Sequence, residues 1–306
     1  MLRTNEKNCV EISVQGAIVH PRVQLKNPYI VDSSGQAHVL PGTGGITYNI
    51  AVGDSALEIA GDHVEPGASI SFGENDRDRL ALGGLNVLSC IGNEARVVSG
   101  LAAGAKGIVT GKHGGVEHVL VDFPPAVLAK LAIGDRVQIR AVGQGLKLKN
   151  FPDIQVMNVD PRLVQKMAGM HGNGQLLVPV THMIPASIMG SGVGSRHSFS
   201  GDYDIQIADS EVIQKYGIQS LRLGDIIAIG DADCRFGRSV RLGAMSIGIV
   251  VHASCVTSGH GPGVTVVMTT AKKLIVPKIE PDANIARLLL IGRHRRRTVS
   301  RRRRGR

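Results

Sequence analysis

The sequence predicts a mainly β protein: two β-rich domains, each barrel-like or sandwich-like, with a few short helices and a disordered Arg-rich C-terminal tail. Three observations carry this. The chain has 306 residues, 43% hydrophobic and 20% charged, which suits a globular protein of about two domains. It holds 39 Gly and 13 Pro against four Tyr, five Phe and no Trp, a composition that favours turns and short strands over long helices or an aromatic nucleic-acid platform. Runs rich in Val and Ile also alternate with Gly-Asp and Gly-Pro punctuation.

Taken in order, the opening MLRTNEKNCVEISV lacks the apolar core of a signal peptide, and no apolar run approaches the roughly 18 residues of a membrane span. A cytoplasmic protein with no membrane partner is expected. Residues 9–20 and 46–52 read as strands. Between them PGTGGIT (41–47) is either a wide turn or an anion nest in which the backbone N–H groups of Gly44 and Gly45 bind substrate; no Lys follows, so it is not a complete phosphate loop. In IGDRVQI (133–139) and LGDIIAI (223–229), Asp135 and Asp225 are turn residues leading into strands. Three short helices are expected over 124–134, 160–169 and 209–217, from prolines suited to a first turn, Asp caps and Gly stops. Regular punctuation lapses between Lys147 and Asp160, which places a boundary near residue 155 and gives domains 1–155 and 156–285. Gly-Asp pairs recur in both halves at unequal spacing, which reads as reuse of a turn rather than duplication.

The chemistry-bearing residues form three groups. In GDHVEPG (61–67), Asp62, His63 and Glu65 combine two carboxylates and an imidazole, but Asp62 and His63 reach one ion only if the backbone bends. Residues 185–206 read as a mobile loop entering a strand, a lid whose Arg196 grips a substrate carboxylate or phosphate, with Asp202 and Asp204 on one face. Residues 225–269 hold His252 and His260, joined by a loop longer than a hairpin needs. A simple antiparallel meander puts both histidines at the Asp225 end, opposite Asp231, which joins them only if 231–244 cross back. The proposed ligands of a divalent zinc, manganese or iron ion are therefore His63, His252, His260 and Asp231, meeting where the domains join. Cys9, Cys90, Cys234 and Cys255 lie far apart with no C-x-x-C and read as free thiols.

The strings LPGTGGITYNIAVGD, AGDHVEPG, SGDYDIQIAD, GRSVRLGAMSIGIVVH and GHGPGVT resemble a prokaryotic domain-of-unknown-function family, number 4438, over nearly residues 1 to 280. The resemblance implies a β-rich, two-part fold and no established activity. A looser likeness links LLVPV and GDYDIQIADSEV to the acetamidase and formamidase pattern; it implies that Asp202, Asp204 and Glu211 approximate metal and catalytic positions, with Asp204 where that pattern has His.

Two functions follow as expectations: a metal-dependent hydrolase acting on C–N or related bonds of a small amide, ester or cyclic substrate, or a non-catalytic small-molecule or anion-binding β protein. Metal content and turnover separate them. The net charge of +10 is concentrated from Arg293 onward, where nine Arg and no acid stand. That segment (293–306) is expected to be disordered and to bind nucleic acid only non-specifically. Self-association is left open.

Overall fold

The computed structural model describes residues 2–23, 28–72, 79–171 and 173–295. The first part of the chain forms β1 (Ile12–Ile18), the small hairpin β2 (Ile30–Val31) and β3 (Ala37–His38), β4 (Ile46–Thr47), β5 (Gly67–Ser71), α1 (Arg79–Leu88), β6 (Glu94–Val97), β7 (Lys106–His113), β8 (His118–Asp122), α2 (Pro125–Leu128) and β9 (Arg136–Ala141). The remainder forms β10 (Gln155–Val156), α3 (Pro161–Met167), β11 (Gly169–His171), β12 (Gln175–Val180), β13 (His182–Pro185), β14 (Tyr203–Asp204), α4 (Ser210–Tyr216), β15 (Ile226–Asp233), β16 (Ser239–His252), β17 (Gly263–Thr270), β18 (Ile275–Ile279) and α5 (Ile285–Leu289).

Strands β1, β9, β6, β7, β8 and β5 hydrogen-bond in that order, and β5 returns to β1 through Ala17 opposite Ser71 and Ile18 opposite Ile70. The sheet thereby closes into a six-stranded barrel, which leaves none of its six strands with an unpaired edge there. Alternation drives the closure. In β9 every second residue, Val137, Ile139 and Ala141, is buried, and Val137 and Ile139 pack with Ile70, Val97, Val109, Val119 and Val121.

The second unit centres on the sheet β10-β17-β16-β15-β13, with β14 also on β17. Its strands β15, β16 and β17 form the expected antiparallel meander. Every residue of β17 is buried, consistent with a strand covered on both faces. A third small sheet runs β11-β12-β18.

All three expected helices form, each shorter than its segment. Asp160 caps α3 by accepting from Arg162 N–H, and Asp209 caps α4, which stops at Gly217 in the left-handed conformation. Gly169 does not stop α3; Ala168 is already extended and Gly169 opens β11. Two helices were not expected. In α1 the pair Gly83-Gly84 weakens intrinsic helicity by about 1 kcal/mol per residue relative to Ala, and tertiary contacts override it: Leu85 enters the barrel core and Asn86 donates to Glu117 O. In α5 five residues are too few to show a period, and Asn284 supplies the cap.

The barrel and the second sheet meet where β7 lies against β16. Gly111 makes this approach, since a Cβ there would lie 2.4 Å from Val251 Cβ. Two residues beyond Gly111 stands His113, and one beyond Val251 stands His252. Gly111→Val is expected to force the sheets apart at an overpacking cost of about 1–3 kcal/mol, read as a lower urea midpoint; an unchanged midpoint would show that the two faces do not bear on each other there.

The basic segment is not uniformly free of structure. Arg293 donates to both carboxylate oxygens of Asp54 and to Asn49 O, and Arg295 pairs with Asp122. The tail as expected from Arg293 thus begins docked on the first part of the chain, because buried or half-buried carboxylates await those two arginines. Residues 296–306 lie outside the described residues.

Candidate metal centre

Three strands converge at Gly263. In the β16–β17 ladder it faces His252, and in the β14–β17 ladder it faces Asp204. A Cβ at this position would lie 1.9 Å from Asp202 Oδ2 and 2.1 Å from His252 Nε2, so the missing side chain leaves a slot between those two donors. From the barrel, β7 brings His113, whose ring centroid is 4.1 Å from that of His252.

His113, Asp202 and His252 are all buried, and one donor atom from each lies within 4.8 Å of the others. Asp202 Oδ2 and His252 Nε2 are 2.7 Å apart yet lack hydrogen-bond alignment, and both are buried atoms with no hydrogen-bond partner. Native interiors satisfy nearly all buried polar atoms, so this pair, which meets only as a misaligned ion pair, forms a slot that could hold a metal ion. Nitrogen and carboxylate oxygen donors suit zinc, manganese or iron.

A second triad adjoins the first. His63 Nε2 is 3.2 Å from His260 Nδ1 and 3.7 Å from Asp204 Oδ2, and His260 Nδ1 is 3.1 Å from Asp204 Oδ2. Asp204 Oδ1 faces the first triad at 3.6 Å from His252 Nε2, so this carboxylate stands between the two. Asp62, His63 and Cys255 form a third, overlapping group of potential donors.

The far nitrogens of the imidazoles are held from behind. His63 Nδ1 lies 2.6 Å from Asp62 Oδ1, His252 Nδ1 2.8 Å from Ala253 O, and His113 Nδ1 is hydrogen-bonded to Glu65 Oε1. Each contact fixes ring orientation and leaves Nε2 for the centre, the arrangement by which proteins position metal-binding histidines. Glu65 is fully buried and also meets His118 Nδ1 at 3.0 Å, the Ser69 hydroxyl and the Gly44 N–H. His63 adopts φ of 50°, the backbone bend that lets adjacent Asp62 and His63 serve one site.

The charges agree with this layout. Burial opposes ionisation of Asp202, but His252 and His113 hold its carboxyl below the ordinary range. Asp204 is lowered in the same way by His260 and His63 against the effect of burial. Burial disfavours charge on His63, yet the carboxylates of Asp204 and Asp62 outweigh it and the pKa is pushed up to about 12. The carboxylates of Asp62, Asp202 and Asp204 therefore make the site an anionic field that favours a cation.

A cavity of about 580 Å³ opens onto both triads and is lined by His63, His113, Asp202, Asp204, His260 and Arg238, together with Gly114, Ser191 and Gly201 among others. Its size suits a small molecule. Lys112, beside His113, is wholly buried and donates to Val87 O, Asn158 Oδ1 and Phe199 O; burial lowers its pKa to about 8. Asn158 in turn donates to Ser198 O. These contacts hold Ser198 and Phe199, within the 185–206 loop, against the body.

Of the sequence-derived residues, His63, His252, His260, Asp202 and Asp204 come together. Asp231 does not: residues 231–238 complete a hairpin instead of crossing back, and Asp231 accepts from Gly243 N–H at the far end of the meander. Glu211 lies exposed in the first turn of α4, its backbone N–H held by Asp209. Arg196 is exposed, and the cation on the cavity wall is Arg238. Gly44 and Gly45 both have positive φ, but the Gly44 N–H is spent on Glu65, so the turn orients a carboxylate and offers no free nest at that donor. Asp225 is a turn residue, accepting from Arg222 N–H and Asn284 Nδ2. His113 and His118 were missed; they pair across the β7–β8 hairpin, and the string HGGVEH, two histidines around a Gly-Gly turn, was the available signal.

Fold and site define a two-part β protein whose barrel and second sheet close around a histidine and carboxylate centre. The chain belongs to the family described as Domain of unknown function (DUF4438), with the N-terminal part matching residues 29–165 and the C-terminal part residues 166–289. The crystal structure of TM1086 is similar at 49% identity and a TM-score of 0.87, over 94% of this chain and 99% of that one. No curated protein matches the chain. Among the described residues no helix is long and apolar enough to cross a membrane.

Proposed function

We propose that this protein is a hydrolase dependent on a divalent metal, acting on the C–N or related bond of a small amide, ester or cyclic substrate. One observation carries the reading: the slot at Gly263, where Asp202 Oδ2 and His252 Nε2 are buried without an aligned partner and no side chain fills the gap. His113, Asp202 and His252 would hold an inner ion, and His63, Asp204 and His260 an outer one, with Asp204 facing both. Ions held there would supply Lewis-acid polarisation of the scissile carbonyl and a lowered pKa for the attacking water. The protein orients the donors through Glu65, Asp62 and Ala253 O, and it holds the inner triad largely buried at the cavity wall. The cavity admits substrate to the rim formed by the part-exposed His260 and the more buried His63. The anion-nest alternative is weakened because the Gly44 N–H already bonds Glu65.

Elemental analysis of untagged protein is expected to find zinc, manganese or iron, up to about two ions per chain, removable by chelation together with turnover in a screen of small amides, cyclic amides and esters. Wild-type protein that takes up no ion after incubation with all three metals would sink the proposal.

A further inference from the structure

Arg238 is a buried cation without a counter-charge on the wall of the same cavity. Its residue exposure is 6%, and among the described residues it forms no ion pair, whereas its neighbours Arg235 and Arg241 both face Asp233. A guanidinium offers five N–H donors, and the contacts of Arg238 are to Gly192 O at 3.3 Å and Ser200 O at 2.9 Å. Nε is buried with no partner. The guanidinium carbon stands over the Tyr203 ring, 5.3 Å from its centroid, within cation–π range.

Two glycines clear its surroundings. A Cβ at Gly192 would lie 3.0 Å from Nη1 and one at Gly201 3.8 Å from Nη2, and both glycines have positive φ and line the cavity. Asp202 lines the same cavity, and Arg238 forms no ion pair with it. Keeping a charge out of water with no opposite charge is costly, and a ligand anion relieves that cost through charge-assisted hydrogen bonds.

We propose that Arg238 binds a carboxylate of the substrate, so that the substrate class is a small carboxylate-bearing amide, ester or cyclic amide whose reacting carbonyl is presented to the two triads. This rests on the hydrolase reading for the reacting carbonyl but not for the anion site. Arg238 is the specificity determinant, distinct from the proposed ligands.

The test uses succinate and its uncharged diamide as probes, with calorimetry on the full chain as purified and after EDTA treatment. Succinate is expected to bind at least about tenfold more tightly than the diamide, the scale of a hydrogen bond to a charged group, with and without metal. Arg238→Gln should erase that preference while leaving metal content unchanged, and Arg238→Lys should retain part of it. Because Arg238 also straps a loop, thermal stabilisation of the wild type by the two probes is measured as well. Equal stabilisation by succinate and the diamide would overturn the proposal, as would Arg238→Gln binding succinate like the wild type. If the protein holds no metal yet keeps an Arg238-dependent preference for succinate, the hydrolase reading fails and the anion site stands.

Discussion

Asp202→Asn is expected to lower affinity for the divalent ion by at least about a hundredfold, beyond the 10–100-fold typical of losing a supporting residue behind a ligand. The substitution isolates charge. Asp202 Oδ1 accepts the Gly114 N–H at 2.7 Å, and an Asn carbonyl oxygen can keep that bond while Oδ2, the atom beside His252 Nε2, becomes an amide donor. The fold should therefore persist as the ion is lost. Gly263→Ala is the companion, since it retains every donor but places a methyl where the ion would sit. Competition against a chelating dye, with circular dichroism as the folding control, reads both. A folded Asp202→Asn protein with wild-type affinity would remove the inner position from the proposal.

Glu65→Ala is expected to destabilise the fold by roughly 3–5 kcal/mol, the scale of leaving buried ionic partners uncompensated. Its carboxylate is the common acceptor for His113, His118, Ser69 and Gly44, drawn from the barrel strands and the glycine turn. Burial alone would raise the Glu65 pKa, but His113 and His118 hold it well below the ordinary value of 4.5. The folded state thus releases this proton more readily than the unfolded chain. The stabilisation is complete above about 4.5 and declines as pH falls towards the depressed folded value. The difference in urea stability between wild type and Glu65→Ala should accordingly be constant near neutrality and shrink in acid. A difference independent of pH down to unfolding would show that Glu65 is not held as a carboxylate. The freed His113 ring should also weaken metal binding by about 10–100-fold.

Local chemistry made several elements legible. Asp160 with Pro161, and Asp209 with Gly217, marked the two capped helices because capping depends on residues within one turn. The meander over 226–270 followed from alternation and turn length, and its geometry put His252 and Asp231 at opposite ends. The helix α1 stayed hidden because its Gly-Gly pair argues locally against a helix, and the burial of Leu85 that rescues it comes from strands elsewhere in the chain.

The candidate site divides along the same line. The sequence by itself determined the β class, the turn chemistry and the richness in histidine and aspartate of 61–67, 202–204 and 252–260, since these are properties of composition and short-range periodicity. Only the tertiary structure decided that His63, before β5, and His113, on β7, face Asp202, Asp204, His252 and His260 across the junction, and that Arg238, not Arg196, lines their cavity. It also decided that Glu211 and Asp231 stand apart. The physical reason is that barrel closure and the approach of β7 to β16 at Gly111 are long-range packing events, and a side chain's partners across such a contact leave no periodic trace along the chain.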